Sequence, residues 1–178
     1  MKPEVVIALC ALVTSAVSLA ASIYFGWCTR DHNRRTVKPL PYASPSDFED
    51  QLAIRLWNYG NGPLVLQKVI AHNKQNDLSG HLIDLLPPPP EGLYFSNYVK
   101  PRPGRAIPPG ESLTLFEFTV EDSNRKAIAY RDKLRDILGH FVMHIDYTDI
   151  YETIFPTYAR DFTWFHRNKN TNRVRDGL

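Results

Sequence analysis

The sequence predicts a mainly-β protein: a single N-terminal transmembrane helix, then an antiparallel β-sandwich with one inserted amphipathic helix. Three observations carry this. Val5 to Cys28 is a run of 24 residues with no Asp, Glu, Lys, Arg or His. Most of the chain beyond it alternates apolar and polar residues with a period of two, between proline–glycine and asparagine–glycine turns. One stretch, Ser123 to Leu138, switches to helical spacing.

As a helix, the apolar run would be roughly 36 Å long, enough to cross a bilayer core of about 30 Å with some tilt. Residues 1–28 are therefore read as an uncleaved anchor. A cleaved signal is the rival, with Ser18-Leu19-Ala20 resembling a cleavage site. Against it, the run continues through Ile23, Tyr24, Phe25 and Trp27, and the leading segment has only Lys2 opposed by Glu4. Lipid attachment at Cys10 would want a small residue before it, where bulky Leu9 stands.

The flanks suggest an orientation in a cell inner membrane. Arg30, Arg34, Arg35 and Lys38 follow the run and one lysine precedes it, which puts the C-terminal side in the cytoplasm. Thr14, Ser18, Ser22 and Gly26 recur every four residues, a small-residue face on which two helices could approach closely in lipid.

Beyond the anchor, 20 Lys and Arg (the chain's 21 less Lys2) stand against 18 Asp and Glu (19 less Glu4). So even a balance offers no electrostatic case for nucleic acid. Both cysteines, Cys10 and Cys28, belong to the apolar run, so the soluble part can form no internal disulfide.

Residues 29–47 read as a charged linker kept extended by Pro39, Pro41 and Pro45. The sandwich is expected over 48–166. Leu52, Ile54 and Leu56 alternate along a first strand that ends at the turn Asn58-Tyr59-Gly60-Asn61-Gly62-Pro63. Leu64 to His72 follows as a strand and Asn73 to Gly80 as a polar loop. His81 to Leu86 is a strand or a single helical turn. Pro87 to Pro90 is a stiff loop, and Leu93 to Val99 an aromatic-rich strand. Lys100, Arg102 and Arg105 form a basic loop that could touch lipid headgroups.

Leu113 to Val120 is a strong strand, with Leu113 and Leu115 on one face and Thr114, Phe116 and Phe118 on the other. The helix follows, with Asp122 or Ser123 as its cap and Gly139 at its end. His140 to Tyr147, Tyr151 to Phe155 and Tyr158 to Phe165 complete the strands, with a hairpin turn at Thr148-Asp149. Residues 167–178 read as a basic tail.

Leu56 to Leu64, the turn Pro108-Pro109-Gly110 and the segment Ile145 to Tyr151 resemble membrane-anchored immunoglobulin-like domains of uncharacterised bacterial proteins. The resemblance covers about residues 50 to 165 and consists of turn chemistry. It implies an immunoglobulin-like sandwich behind an N-terminal span; the helix at 123–138 departs from it.

Chemistry-bearing patterns are sparse. His140 and His144 share an alternating strand, where they would lie about 13 Å apart, too far to share a metal. His144 with Asp146 is a weak ligand pair. Asp146, Asp149 and Glu152 could gather at a turn for calcium or acid–base work, against the plainer reading of a solvated hairpin end. No catalytic residue, metal or cofactor is assigned. The expected function is a membrane-tethered, non-enzymatic interaction or adaptor module. Its partners would be membrane lipid, a protein bound through the sandwich, and a second span at the helix. The alternative is a membrane-bound ligand sensor or effector acting through transmembrane helix association.

Overall fold

The computed structural model describes residues 2–121 and 123–167. The expected tail beyond Arg167 and the candidate cap Asp122 lie outside them. The chain divides into two units, one ending at Val37 and the other starting at Lys38.

The first unit is one helix, α1 (Pro3–Thr36), 34 residues with none buried. It is long and apolar enough to cross a membrane. Pro3 opens it, where a missing amide proton costs nothing. The helix does not stop at Cys28, so the linker expected from residue 29 is corrected. Arg30 to Thr36 continue it without Gly or Pro, and Asp31 pairs with Arg35 one turn on at 2.9 Å. Pro39 then disfavours helix in the residue before it.

The second half of the expected linker is also corrected: it is strand β1 (Pro41–Asp47), paired antiparallel with β2 (Gln51–Asn58). The prolines are tolerated because β1 is an edge strand, whose outward side needs no ladder donors. Next come β3 (Leu64–Asn73) and β4 (Leu78–Gly80), a hairpin where a polar loop was expected. Its turn holds Asp77 at φ 58°. A short helix α2 (Leu82–Leu85) follows, then the two-residue strands β5 (Asn97–Tyr98) and β6 (Ala106–Ile107) and the longer β7 (Ser112–Thr119). Helix α3 (Arg125–Leu138) leads to β8 (Phe141–Thr148), β9 (Tyr158–Asp161) and a 3-10 turn, η1 (Thr163–His166).

These form two antiparallel sheets, β1-β2-β7-β5 and β4-β3-β8-β9, with β6 added to β3. Their inner faces share one apolar core, including Leu52, Ile54, Leu56, Phe116 and Phe118 from the first and Leu64, Leu66, Met143 and Ile145 from the second.

Simple alternation fails in β7. Ile54 faces Phe116 while Arg55 faces Thr114, so Leu115 is an extra residue, a β-bulge. The bulge turns Leu113, Leu115, Phe116 and Phe118 all into the core and leaves Thr114 and Glu117 outside, where Glu117 meets Arg55 at 3.0 Å. A second slip, at Gln67 in β3, buries both Leu66 and Val69.

Three other expected strands are shorter. In 93–99 only Asn97 and Tyr98 pair. In 151–155 a single bridge joins Thr148 to Ile154, because Glu152 takes φ 59° and turns the chain. In 158–165 the strand ends at Asp161, whose carboxylate takes the Thr163 amide proton at 2.7 Å and starts η1.

Helix α3 follows its apolar stripe. Ala127, Tyr130, Leu134 and Leu138 are buried, and the cap is Asn124, which accepts from the Ala127 amide at 3.1 Å. The helix joins the end of β7 to the start of β8, so it closes one end of the sandwich, with Phe141, Phe162 and Phe165 also buried there. We call this the far end. The opposite end gathers the start of β1 and the turns 59–63, 108–111 and 149–157; we call it the loop end.

Candidate functional site

The loop end is built on Asn58. This side chain is wholly buried and makes four hydrogen bonds. Its Nδ2 donates to the Gly62 carbonyl at 2.8 Å and the Ile107 carbonyl at 3.0 Å. Its Oδ1 accepts from the Leu40 amide at 3.2 Å and the Gly60 amide at 3.0 Å. One residue thus fixes three segments: the entry strap 38–40, the turn 59–63 and the strand before Pro108. In the sequence Asn58 shows only as a turn residue.

Asp149 does the same for the loop 149–157. Only 3% exposed, it accepts from the Tyr151 amide at 2.8 Å and the Thr153 amide at 2.9 Å. Asp146 is occupied by the Thr157 hydroxyl at 2.6 Å. Asp146 and Asp149 therefore act as its scaffold, and among the described residues they do not gather with Glu152 as a cation cluster.

These scaffolds hold apolar side chains outward. Leu40, Tyr59, Ile150, Tyr151 and Ile154 are exposed, Ile154 by 84%. Tyr59 stacks on Trp57 and leans on Tyr42, each with ring centroids 5.7 Å apart. The Lys38 ammonium lies 5.6 Å from the Phe155 ring centre, linking the entry strap to the 149–157 loop. Apolar tips, tyrosines and a lysine on one rim are the composition of a membrane–water interface.

The basic loop is less concentrated than its spacing suggested. Lys100 pairs with Asp84 at 2.6 Å. Arg102 and Arg105 are exposed, and the Arg105 backbone bonds Leu66. In α1, two residues of the small face turn their hydroxyls inward: Thr14 donates to the Cys10 carbonyl and Ser22 to the Ser18 carbonyl, each at 2.8 Å. This satisfies them without water, as a lipid setting demands. A side chain at Gly26 would meet nothing within 4 Å.

At the β3–β4 hairpin, His72 Nδ1 lies 3.0 Å from the Ser79 hydroxyl and Nε2 lies 3.6 Å from Asp77. These are the residue types of a hydrolytic triad. Yet the Asp77 side chain is 96% exposed and beyond hydrogen-bond range, so it does not orient the ring as a triad carboxylate does.

The far end carries two polar constellations that leave no pattern in the sequence. Asp47 meets Arg135 of α3 and Arg167 beyond η1, each at 2.7 Å. Asp136, His140 and His166 converge, with ligand atoms all within 4.8 Å of one another. His144 is not part of this cluster, in keeping with its strand spacing from His140. The true neighbour, His166, is 26 residues away and arrives only through the β9–η1 turn, for which alternation gives no signal.

Compared with protein-family models and with curated proteins, the chain matches none.

Proposed function

We propose that this protein is a membrane-tethered, non-enzymatic interaction module. Its second unit is an immunoglobulin-like sandwich whose loop end rests on the bilayer interface, leaving the sheet faces and far end to a protein partner. The carrying observation is that the exposed apolar rim of Leu40, Tyr59, Ile150, Tyr151 and Ile154 lies at the end where the chain arrives from α1.

Chain length supports the placement. From Cys28 to Thr36 a helix rises about 12 Å. The four residues 37–40 add at most about 14 Å before β1 begins. The chain path from the end of the apolar run to the first residue of β1 is therefore at most roughly 26 Å. Arg30, Arg34, Arg35 and Lys38 favour the cytoplasmic side of an inner membrane. A second reading, a sensor or effector signalling through helix association, has the face Thr14, Ser18, Ser22 and Gly26 as its support.

The test uses the full chain in membranes, first washed in carbonate, with a photoreactive amino acid in place of Ile154 or, as control, Thr119, which is exposed at the far end. Retention after the wash and lipid adducts at 154 but not at 119 are expected. Release by carbonate, or equal labelling at both positions, overturns the reading. A topology reporter at the C-terminus decides the side.

A further inference from the structure

We propose that Asp136, His140 and His166 form a zinc-binding site at the far end of the sandwich. The three come from separate pieces of the fold: the last turn of α3, the joint between α3 and β8, and the last residue of η1. Their ligand atoms lie within 4.8 Å of one another. Two imidazoles and a carboxylate with room for water are a familiar open zinc donor set.

The distances fit this chemistry better than they fit an ion pair. Zinc bonds of about 2.0–2.1 Å in a tetrahedron put neighbouring ligand atoms about 3.3 Å apart. His166 Nε2 and Asp136 Oδ1 are already 3.4 Å apart, which is long for a charge-assisted hydrogen bond. The His140 and His166 rings meet edge to face at 4.7 Å between centroids. Bringing the third ligand to tetrahedral spacing needs a closure of at most about 1.5 Å. A half-buried His140 can make that by rotating its ring.

Gly139 is the second observation. Its φ is −63°, an ordinary helical value that any residue adopts. What excludes a side chain is space: a Cβ would collide with the His166 ring, lying 2.5 Å from its Cε1. Glycine here makes a seat for an imidazole beside Asp136 and His140.

In the metal-free chain, His166 Nε2–H donates to the Asp136 carbonyl at 2.9 Å, closing the last turn of α3. For zinc to bind, the ring takes its other tautomer: the Nε2 proton passes to water while Nδ1 takes one up, the freed Nε2 lone pair meets the metal, and water takes over the carbonyl in this exposed turn. The bound ion would join α3, β8 and η1, and its remaining position can accept water or a partner's carboxylate.

The test is zinc titration of the full-length, tag-free chain in detergent, stripped with chelator, against a chromophoric competitor. One zinc per chain with Kd of about 1 μM or tighter is expected, with a rise in melting temperature. His140→Ala and His166→Gln should each weaken binding by about 100-fold or more, and Asp136→Asn by at least about 10-fold. His166→Gln keeps an amide donor for the Asp136 carbonyl, so it separates a ligand from a cap. His144→Ala, in β8 and outside the cluster, should leave affinity unchanged. X-ray absorption of the loaded protein should count two imidazoles. Affinity weaker than about 100 μM, or affinity unmoved by His140→Ala and His166→Gln in chains that retain their circular dichroism, overturns the site.

Discussion

Arg135 grips Asp47 with two nitrogens, Nε at 2.8 Å and Nη2 at 2.7 Å on the same carboxylate oxygen. The second oxygen takes Arg167 Nη1 at 2.7 Å. The Asp47 side chain is 1% exposed, while the two arginines keep 22% and 33%. So one buried anion fastens the last residue of β1 to α3 and to the segment after η1.

Removing the anion should be costly because a buried charge partner is lost, though both arginines can turn to water. Breaking a fully buried pair costs about 3–5 kcal/mol, and the arginines' exposure brings the expected loss for Asp47→Ala to about 2–3 kcal/mol. The exposed pair Asp31–Arg35 should contribute under about 0.5 kcal/mol. Urea unfolding of the full chain in detergent, read by tryptophan fluorescence, measures both. Similar small losses for the two would show that Asp47 holds nothing.

Gly60 makes a different kind of contact. A Cβ there would lie 2.5 Å from the Leu40 nitrogen and 2.6 Å from the Pro39 Cα, both backbone atoms that cannot swing aside. Gly60→Ala should therefore push the strap 38–40 off the turn. That breaks the Tyr59 amide bond to the Leu40 carbonyl (2.9 Å) and the Leu40 amide bond to Asn58 (3.2 Å). The expected loss is about 2 kcal/mol. Hydrogen exchange should accelerate at Leu40 and Tyr59 first, and unchanged protection there would refute the clasp.

Local pattern exposed much of this fold. Helix α1 shows as a long run without charge, and the strands 52–58 and 141–148 and the helix after residue 123 each repeat one period long enough to read. What stayed hidden depends on contacts distant in sequence. Proline in β1 resembles a linker until the strand's place at a sheet edge is known. The bulge at Leu115 inverts Phe116 and Phe118 without marking the sequence. Asn58 looks like any turn residue, since its four partners lie up to 49 residues away. The histidine cluster needs α3 and η1 folded side by side. The exposed rim was hidden for the opposite reason: Tyr151 and Ile154 look like strand residues until Glu152 turns the chain.

The Lys74–Asp161 pair links the ends of β3 and β9. Burial alone would raise the Asp161 carboxyl. The bonds from Lys74 and from the Thr163 amide and hydroxyl outweigh it and hold the group below its ordinary 3.8. A depressed acid stabilises the fold above its ordinary value, and that gain is lost as pH falls through the lower folded value. Lys74→Met should thus lower stability at neutral pH and flatten the acid limb below about pH 4. Both groups are nearly half exposed, so the effect should stay under about 1 kcal/mol. A larger loss in acid-unfolding curves would mean that Lys74 does more than pair.

Tyr130 sets the alkaline limit. Burial pushes its hydroxyl from 10.0 up to about 12, and that hydroxyl donates to the Pro87 carbonyl at 2.6 Å. This anchors the proline run Pro87–Pro90 to α3. The folded state favours the neutral phenol, so this stability is complete below pH 10. It drains as pH rises from there through about 12, where the unfolded chain ionises first. Tyr147, also raised by burial, drains in the same direction. Tyr130→Phe should lose about 1 kcal/mol at pH 7 through the missing hydrogen bond. It should also show a shallower fall above pH 10, with the remaining slope left to Tyr147. Melting curves of the parent chain and the variant from pH 7 to 11.5 give the comparison. An identical alkaline slope in both would show that the Tyr130 phenol titrates as freely in the fold as out of it.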